Sequence, residues 1–342
     1  IIRPRKKKSP RETLTRETAM RKEMFSENGN WYKGNLHSHT TNSDGRLRPE
    51  EAAAFYKNYG YHFVCFSEHD YYTDLREQFD CEDFILLPGV EASVVLMDRD
   101  RTHVIKTHHI HGILGNEAMQ KAAGERLLKH GERLTPPVYL EQWDGLKAAQ
   151  DMIDELNSRG CFTTYNHPAW SRVETGDVVG IRDVWAVEVY NYGTEVECGE
   201  GFDSVFWDAM LRKGVRIHGF ASDDNHNPPK FFDSFGGYVM VRSEELTHEA
   251  IVNHLLAGDY YFSAGPSIFQ WGIEDGRVFV VCSEAERINF IAGGPIGRSE
   301  TLLAHTNPLT GGAHVLRGDE TYIRIECIDK QGRKAWTNAL FL

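Results

Sequence analysis

Histidine, aspartate and glutamate recur at the carboxyl ends of successive apolar, strand-like runs, and this recurrence restricts the fold more than any other feature of the chain. In residues 34–45, His37 and His39 close a short apolar run and share one face if that run is extended. Asp44 follows in a turn-forming Ser-Asp-Gly. Neutral imidazole and carboxylate are the usual ligands of borderline divalent cations. Residues 61–67 read as a strand running into Glu68-His69-Asp70, and 84–90, interrupted by Pro88-Gly89, end in Glu91. Residues 103–114 carry His108, His109 and His111, and 161–165 lead to Asn166-His167-Pro168. Residues 184–190 contain Glu188, and 215–221 run into Asp223-Asp224-Asn225-His226.

Helical patterns separate most of these runs. Pro49, Glu50 and Glu51 fit a helix start and Gly60 its stop; 146–158 is amphipathic with Gly160 following, and 202–213 precede Gly214. Alternating strands and helices imply a parallel sheet. Ligands drawn from the ends of seven strands converge if that sheet closes, so the expected fold is α/β: a distorted seven-stranded barrel with its site at the carboxyl face. Residues 116–146 lack a clear strand and read as an insertion beside the site. A strand at 237–241 and a helix at 248–256 bring the barrel (31–262) to its close, with Gly265-Pro266 at the boundary. Residues 263–342 hold short strands and turns without a helix, the pattern of a small all-β module.

Composition narrows the class. The 342 residues carry a formal net charge of −12, which argues against nucleic acid as a partner of the body of the protein. Residues 1–30 are the exception, with Arg3, Arg5, Lys6, Lys7 and Lys8 in a basic extension. No apolar run reaches membrane-spanning length and no signal-peptide pattern opens the chain. Six scattered cysteines, none in a Cys-x-x-Cys pair, fit free thiols in a reducing cytoplasm. The oligomeric state is not legible.

Taken together, His37-Ser38-His39 with Asp44, Glu68-His69-Asp70, Glu91, the histidine strand, Asn166-His167-Pro168 and Asp224-Asn225-His226 make the chain resemble the PHP (polymerase and histidinol phosphatase) family, with the motifs in family order over 31–262. Residues 34–45 and the β-rich tail are similar to its CehA/McbA-type branch. The resemblance implies a TIM-like barrel holding two or three divalent ions (Zn, Mn or Fe). It implies His37, His39, Glu91 and Asp224 at the first; Glu91, a strand histidine and His167 at the second; and Asp44, His69 and His226 at the third, where many relatives carry histidine in place of Asp44. His109 is the favoured strand ligand because His109-Ile110-His111-Gly112 resembles the family's His-Ile-x-Gly, with His111 able to share its face and His108 turned away. Glu68 and Asp70 are expected to support His69 or to be solvated.

Such a centre implies hydrolysis by a metal-bridging hydroxide, first of a small phosphate mono- or diester. The alternative is a carbamate, amide or carboxylic ester; a metal-stabilised scaffold without activity is a third reading. His111 or His226 is the expected proton donor, Arg46 the expected phosphate contact, and Glu188 is expected to orient a ligand, bind substrate or sit satisfied in the barrel interior.

Overall fold

The computed structural model describes residues 21–26 and 28–342. The basic run at 3–8 therefore lies outside the described residues.

Seven strands position the site. They are β1 (Asn30–Asn35), β2 (Phe63–Phe66), β3 (Ile85–Met97), β4 (Val104–Leu114), β5 (Cys161–Tyr165), β6 (Ala186–Asn191) and β7 (His218–Ser222), hydrogen-bonded in that order within one large mixed sheet. β1–β2–β3 and β5–β6–β7 are parallel, whereas β3–β4 and β4–β5 are antiparallel. The expected barrel is corrected on two points. β3 does not stop at Glu91: it runs on through Pro88-Gly89 and forms a long hairpin with β4. Nor is the sheet closed, since no ladder joins β7 to β1. A single parallel bridge between Ser38 and Asn225 pinches the two ends together, with His39 N donating to Asn225 O (3.1 Å) and Asp224 N to His37 O (3.0 Å). Closure at one point, at the carboxyl edge, suffices to gather the ligands.

The helices form where the sequence caps them and bury one face. Pro49 opens α1 (Pro49–Asn58), with Glu50 and Glu51 in the first turn, Lys57 in the last, and Ala52, Ala53 and Tyr56 buried. The Asp144 side chain accepts from Lys147 N (3.1 Å) to cap α2 (Gly145–Ser158), whose Ala149, Met152, Ile153 and Leu156 enter the core. α3 (Ser204–Arg212) and α4 (His248–Ala257) bury Trp207, Met210, Ile251 and Leu255 against the same core. Within 116–146 stand a helix, Glu117–Ala123, and a short strand, Val138–Leu140, that pairs with β3.

On the other side of β1 the sheet continues through β8 (Tyr238–Ser243) and β9 (Tyr260–Ser263) into the C-terminal strands Lys334–Thr337, Tyr322–Ile328 and Arg287–Ala292. A four-stranded sheet built on Ile268–Glu274, Arg277–Ala285 and Leu309–Val315 packs there around a second apolar cluster with Trp271, Val280 and Phe290. Arg324, 1% exposed, ties this region to α3: its Nε and Nη2 donate to Asp208 (both 2.9 Å), Nη1 to Glu326 (2.8 Å), and its guanidinium lies 4.7 Å from the Trp207 ring. All six cysteines are free thiols, four of them buried. Among the described residues no helix is long and apolar enough to cross a membrane.

Candidate metal centre

The β3–β4 hairpin supplies the centre of the site. Its register sets Glu91 opposite His111 and Ser93 opposite His109, so strand alternation points Glu91, His109 and His111 to one face. His108, opposite Val94 on the other face, stacks on Trp143 and bonds to the Tyr165 hydroxyl. That agrees with the expected orientation of this strand.

Five imidazoles surround the Glu91 carboxylate within 3.5 Å. Oε1 lies 3.2 Å from His37 Nε2, 3.3 Å from His109 Nδ1 and 3.2 Å from His167 Nε2. Oε2 lies 3.0 Å from His69 Nδ1 and 3.5 Å from His39 Nε2. Asp224 is the second hub, its Oδ1 2.9 Å from His37 Nε2 and 3.0 Å from His39 Nε2. Asp44 stands at the mouth, 3.6 Å from His69 and 3.3 Å from His226. All nine residues expected as ligands (His37, His39, Asp44, His69, Glu91, His109, His167, Asp224, His226) are thus brought into one cluster. Their donor atoms fall into overlapping groups able to hold an ion: His37–His39–Asp224; His69–Glu91–His109; and His39–Asp44–His69–His226.

The donor set fits divalent cations. Burying polar atoms without partners is costly, yet both ring nitrogens of His111 are buried and lack hydrogen bonds. Two of the nine positions expected as ligands also hold strained backbone, His167 at φ +22° and Asp224 at φ +51°. Asp224 is fixed there by the bond to His37 O and by Asn191 Nδ2, which donates to its Oδ2 (3.0 Å). Gly193 lies so close that a Cβ would stand 2.8 Å from the Asp223 and Asp224 carbonyl oxygens.

Electrostatics follow from burial among opposed charges. Burial disfavours charge on His37, but Asp224, Glu91 and Glu188 together outweigh it and raise its pKa well above the usual range. Burial opposes charge on His226 as well, yet the hydrogen bond to Asp44 and the field of Asp224 push it up to about 9. His39 goes the other way, down to about 3, through burial and the neighbouring His226 and His69. Desolvation works against the Glu91 carboxylate, but the charges of His37 and His109 hold it well below the usual range.

The structure bears on three expected roles. His111 does not reach solvent: it is fully buried, 3.8 Å from Glu91 and edge-on to His37, so it cannot protonate a leaving group. Glu188 is equally buried and is not part of the cavity lining. It accepts from His37 Nδ1 (2.9 Å), His167 N (3.0 Å), Asn191 Nδ2 (2.9 Å) and the Ser222 hydroxyl, which makes it a positioning residue and not a substrate contact. Arg46 has an exposed side chain outside the cavity lining; only its backbone takes part, donating to His226 O (2.9 Å). Glu68, left open by sequence, accepts from Thr40 N (3.1 Å) and from Ser43, and so braces the loop between His39 and Asp44.

A cavity of about 290 Å³ opens over Asp44, His69, His109, His167, Asp224 and His226. Its remaining wall includes Trp170, Thr194, Glu197, Pro228 and Phe231, which sequence reasoning did not single out. No residue of 116–146 lines it.

No family model matches the chain. Among curated proteins it is similar to a glucan 1,6-alpha-glucosidase of Streptococcus dysgalactiae subsp. equisimilis, 25% identical over 117 residues, or 34% of this chain and 18% of that protein. Among solved structures it is similar to a two-domain protein from Bacteroides vulgatus containing a predicted PHP-like metal-dependent phosphoesterase, with TM-score 0.45, 14% identity and coverage of 96% of this chain and 100% of that one. An amidohydrolase from Chromobacterium violaceum, solved with bound sulfate and no metal, gives TM-score 0.37, 17% identity and coverage of 58% and 89%.

Proposed function

We propose that the chain is a metal-dependent hydrolase of the PHP type, its catalytic part within 31–262 and the strands of 263–342 accessory to it. The observation that carries this reading is the convergence of five imidazoles on one buried carboxylate, with donor atoms left unpaired in the interior. His37, His39 and Asp224 would hold one cation, Glu91 with His109 and His167 a second, and Asp44, His69 and His226 a third. Bound divalent cations acidify water and neutralise charge that develops at a phosphoryl or carbonyl centre.

The chain's own residues do the rest. Glu188 fixes the proton of His37 on Nδ1 and so leaves Nε2 free to act as a ligand. His226, unlike His111, lines the cavity, and when the Asp44–His69–His226 position holds no cation a proton on its Nε2 can pass to a departing alkoxide. The buried floor excludes water from the side opposite the opening.

The favoured reaction is hydrolysis of a small phosphate mono- or diester. Among the described residues no Lys or Arg lines the cavity, which favours a second reading, a neutral carbamate, amide or carboxylic ester cleaved at the same site. Assay against p-nitrophenyl phosphate, bis-p-nitrophenyl phosphate, a p-nitrophenyl carbamate and p-nitrophenyl acetate, with Mn, Zn or Fe, separates the two. Phosphate turnover abolished by Asp224→Asn supports the first; carbamate turnover without phosphate turnover replaces it with the second.

A further inference from the structure

Beyond the ligands, the cavity has a wall of consistent chemistry. Trp170 lines the cavity beside the histidines, its ring 5.1 Å from that of His167 and 5.9 Å from that of His109. Phe231 and Pro228 bring further apolar surface from the loop that follows His226. The charged residues in the lining outside the nine ligands are acids, Glu197 and Asp233. Asp233 is committed to its own loop, accepting from His226 N (2.7 Å) and Asn227 N (3.0 Å). Glu197 is exposed at the rim, and among the described residues no hydrogen bond or ion pair engages its carboxylate. Cations on the flanking segments do not compensate. Arg46 and Lys230 are exposed and outside the lining, and Arg172 is paired with Glu200.

Resting on the hydrolase reading above, we infer that the part of the substrate remote from the reacting centre is ring-bearing and uncharged or cationic, seated against Trp170 with Glu197 facing its outer end. A flat ring finds an aromatic partner at Trp170, and a cation gains from the indole face and the rim carboxylate together. A second anionic group, as in a diphosphate or a dicarboxylate, would meet Glu197 with no basic side chain among the described lining residues to offset it. The preference belongs to the leaving group and holds whether phosphorus or carbon is attacked.

The test uses the metal-loaded full chain and three alcohols whose charge sits away from the reacting oxygen: benzyl alcohol, its 4-trimethylammoniomethyl analogue and its 4-carboxymethyl analogue. Each is offered as the phosphate monoester and as the N-methylcarbamate. The neutral and cationic esters are expected to show KM values at least about tenfold below the carboxylate. Trp170→Leu should raise KM for the ring esters about tenfold with metal content unchanged, Trp170→Phe should restore most of it, and Glu197→Lys should reverse the charge preference. Preference for the carboxylate in the native chain, or a KM unmoved in Trp170→Leu that retains its metal, overturns the inference and leaves the hydrolase reading intact. Failure to turn over any of the six esters, with Mn, Zn or Fe, overturns both.

Discussion

Replacing Glu188 by Gln isolates the contribution of a residue that touches neither solvent nor the cavity. The two oxygens of Glu188 divide four donors between them, His37 Nδ1 and the Ser222 hydroxyl on one, His167 N and Asn191 Nδ2 on the other. A glutamine of the same shape keeps one carbonyl oxygen, so in either orientation its NH2 group faces two of those donors. If it turns toward His37, the imidazole must take its proton on Nε2, the nitrogen 2.9 Å from Asp224 and 3.2 Å from Glu91, and is lost as a ligand. If it turns the other way, the backbone amide that holds His167 at φ +22° loses its acceptor. Loss of such an outer partner typically weakens metal binding about 10–100-fold, or about 1.4–2.8 kcal/mol. Competition of the purified variant against a fluorescent chelator at pH 7 should show a shift of that size for at least one ion, while far-ultraviolet circular dichroism stays native. Metal affinity unchanged within twofold in a folded variant would refute the assignment of Glu188 to the support of His37.

Two further predictions concern stability. Arg324→Met leaves Asp208 and Glu326 without their shared buried cation and should cost about 3–5 kcal/mol in urea unfolding, part of it regained when Asp208 and Glu326 are also made apolar; a loss below about 1 kcal/mol would remove this contact as the tie between α3 and the C-terminal strands. Burial, opposed only in part by the hydrogen bond from Ala169 N, pushes the Asp203 carboxyl up to about 8 from its ordinary 3.8. Between those values the folded chain holds a proton that the unfolded chain releases, so this group's contribution to stability falls as pH rises from about 4 to about 8. Asp203→Asn should flatten that part of the profile, and an unchanged slope would show that Asp203 does not titrate there.

Much of the site was legible because strand alternation is a strong rule. His109 with His111 had to share a face of their strand, whereas His37 and His39 lie past the end of β1 and are brought together at Asp224 beside the Ser38–Asn225 bridge. Alternation gives the face of a strand but not the depth along it, which is why His111 was expected to reach a leaving group and lies buried edge-on against His37. Pro88-Gly89 looked like a stop, yet Gly89 serves close packing: a Cβ there would stand 2.5 Å from Cys65 Sγ, and the backbone continues into the hairpin. Glu188 sat in an apolar run with nothing local to distinguish an orienting carboxylate from a substrate contact. Tyr260–Ser263 read as the end of a domain because its partners, Lys334–Thr337, are some seventy residues away, beyond any local pattern. Trp170 and Phe231 carried no signal at all, since an aromatic in a loop says nothing of which cavity it will face.

The central claim is that Glu91 and its surrounding imidazoles share divalent ions. Elemental analysis by mass spectrometry of chain purified without added chelator tests it directly, beside Glu91→Gln prepared in the same way. The account predicts two or three divalent ions per native chain and the loss of at least one in the variant. A native chain carrying less than one ion, and taking up none from micromolar Zn, Mn or Fe, would contradict it.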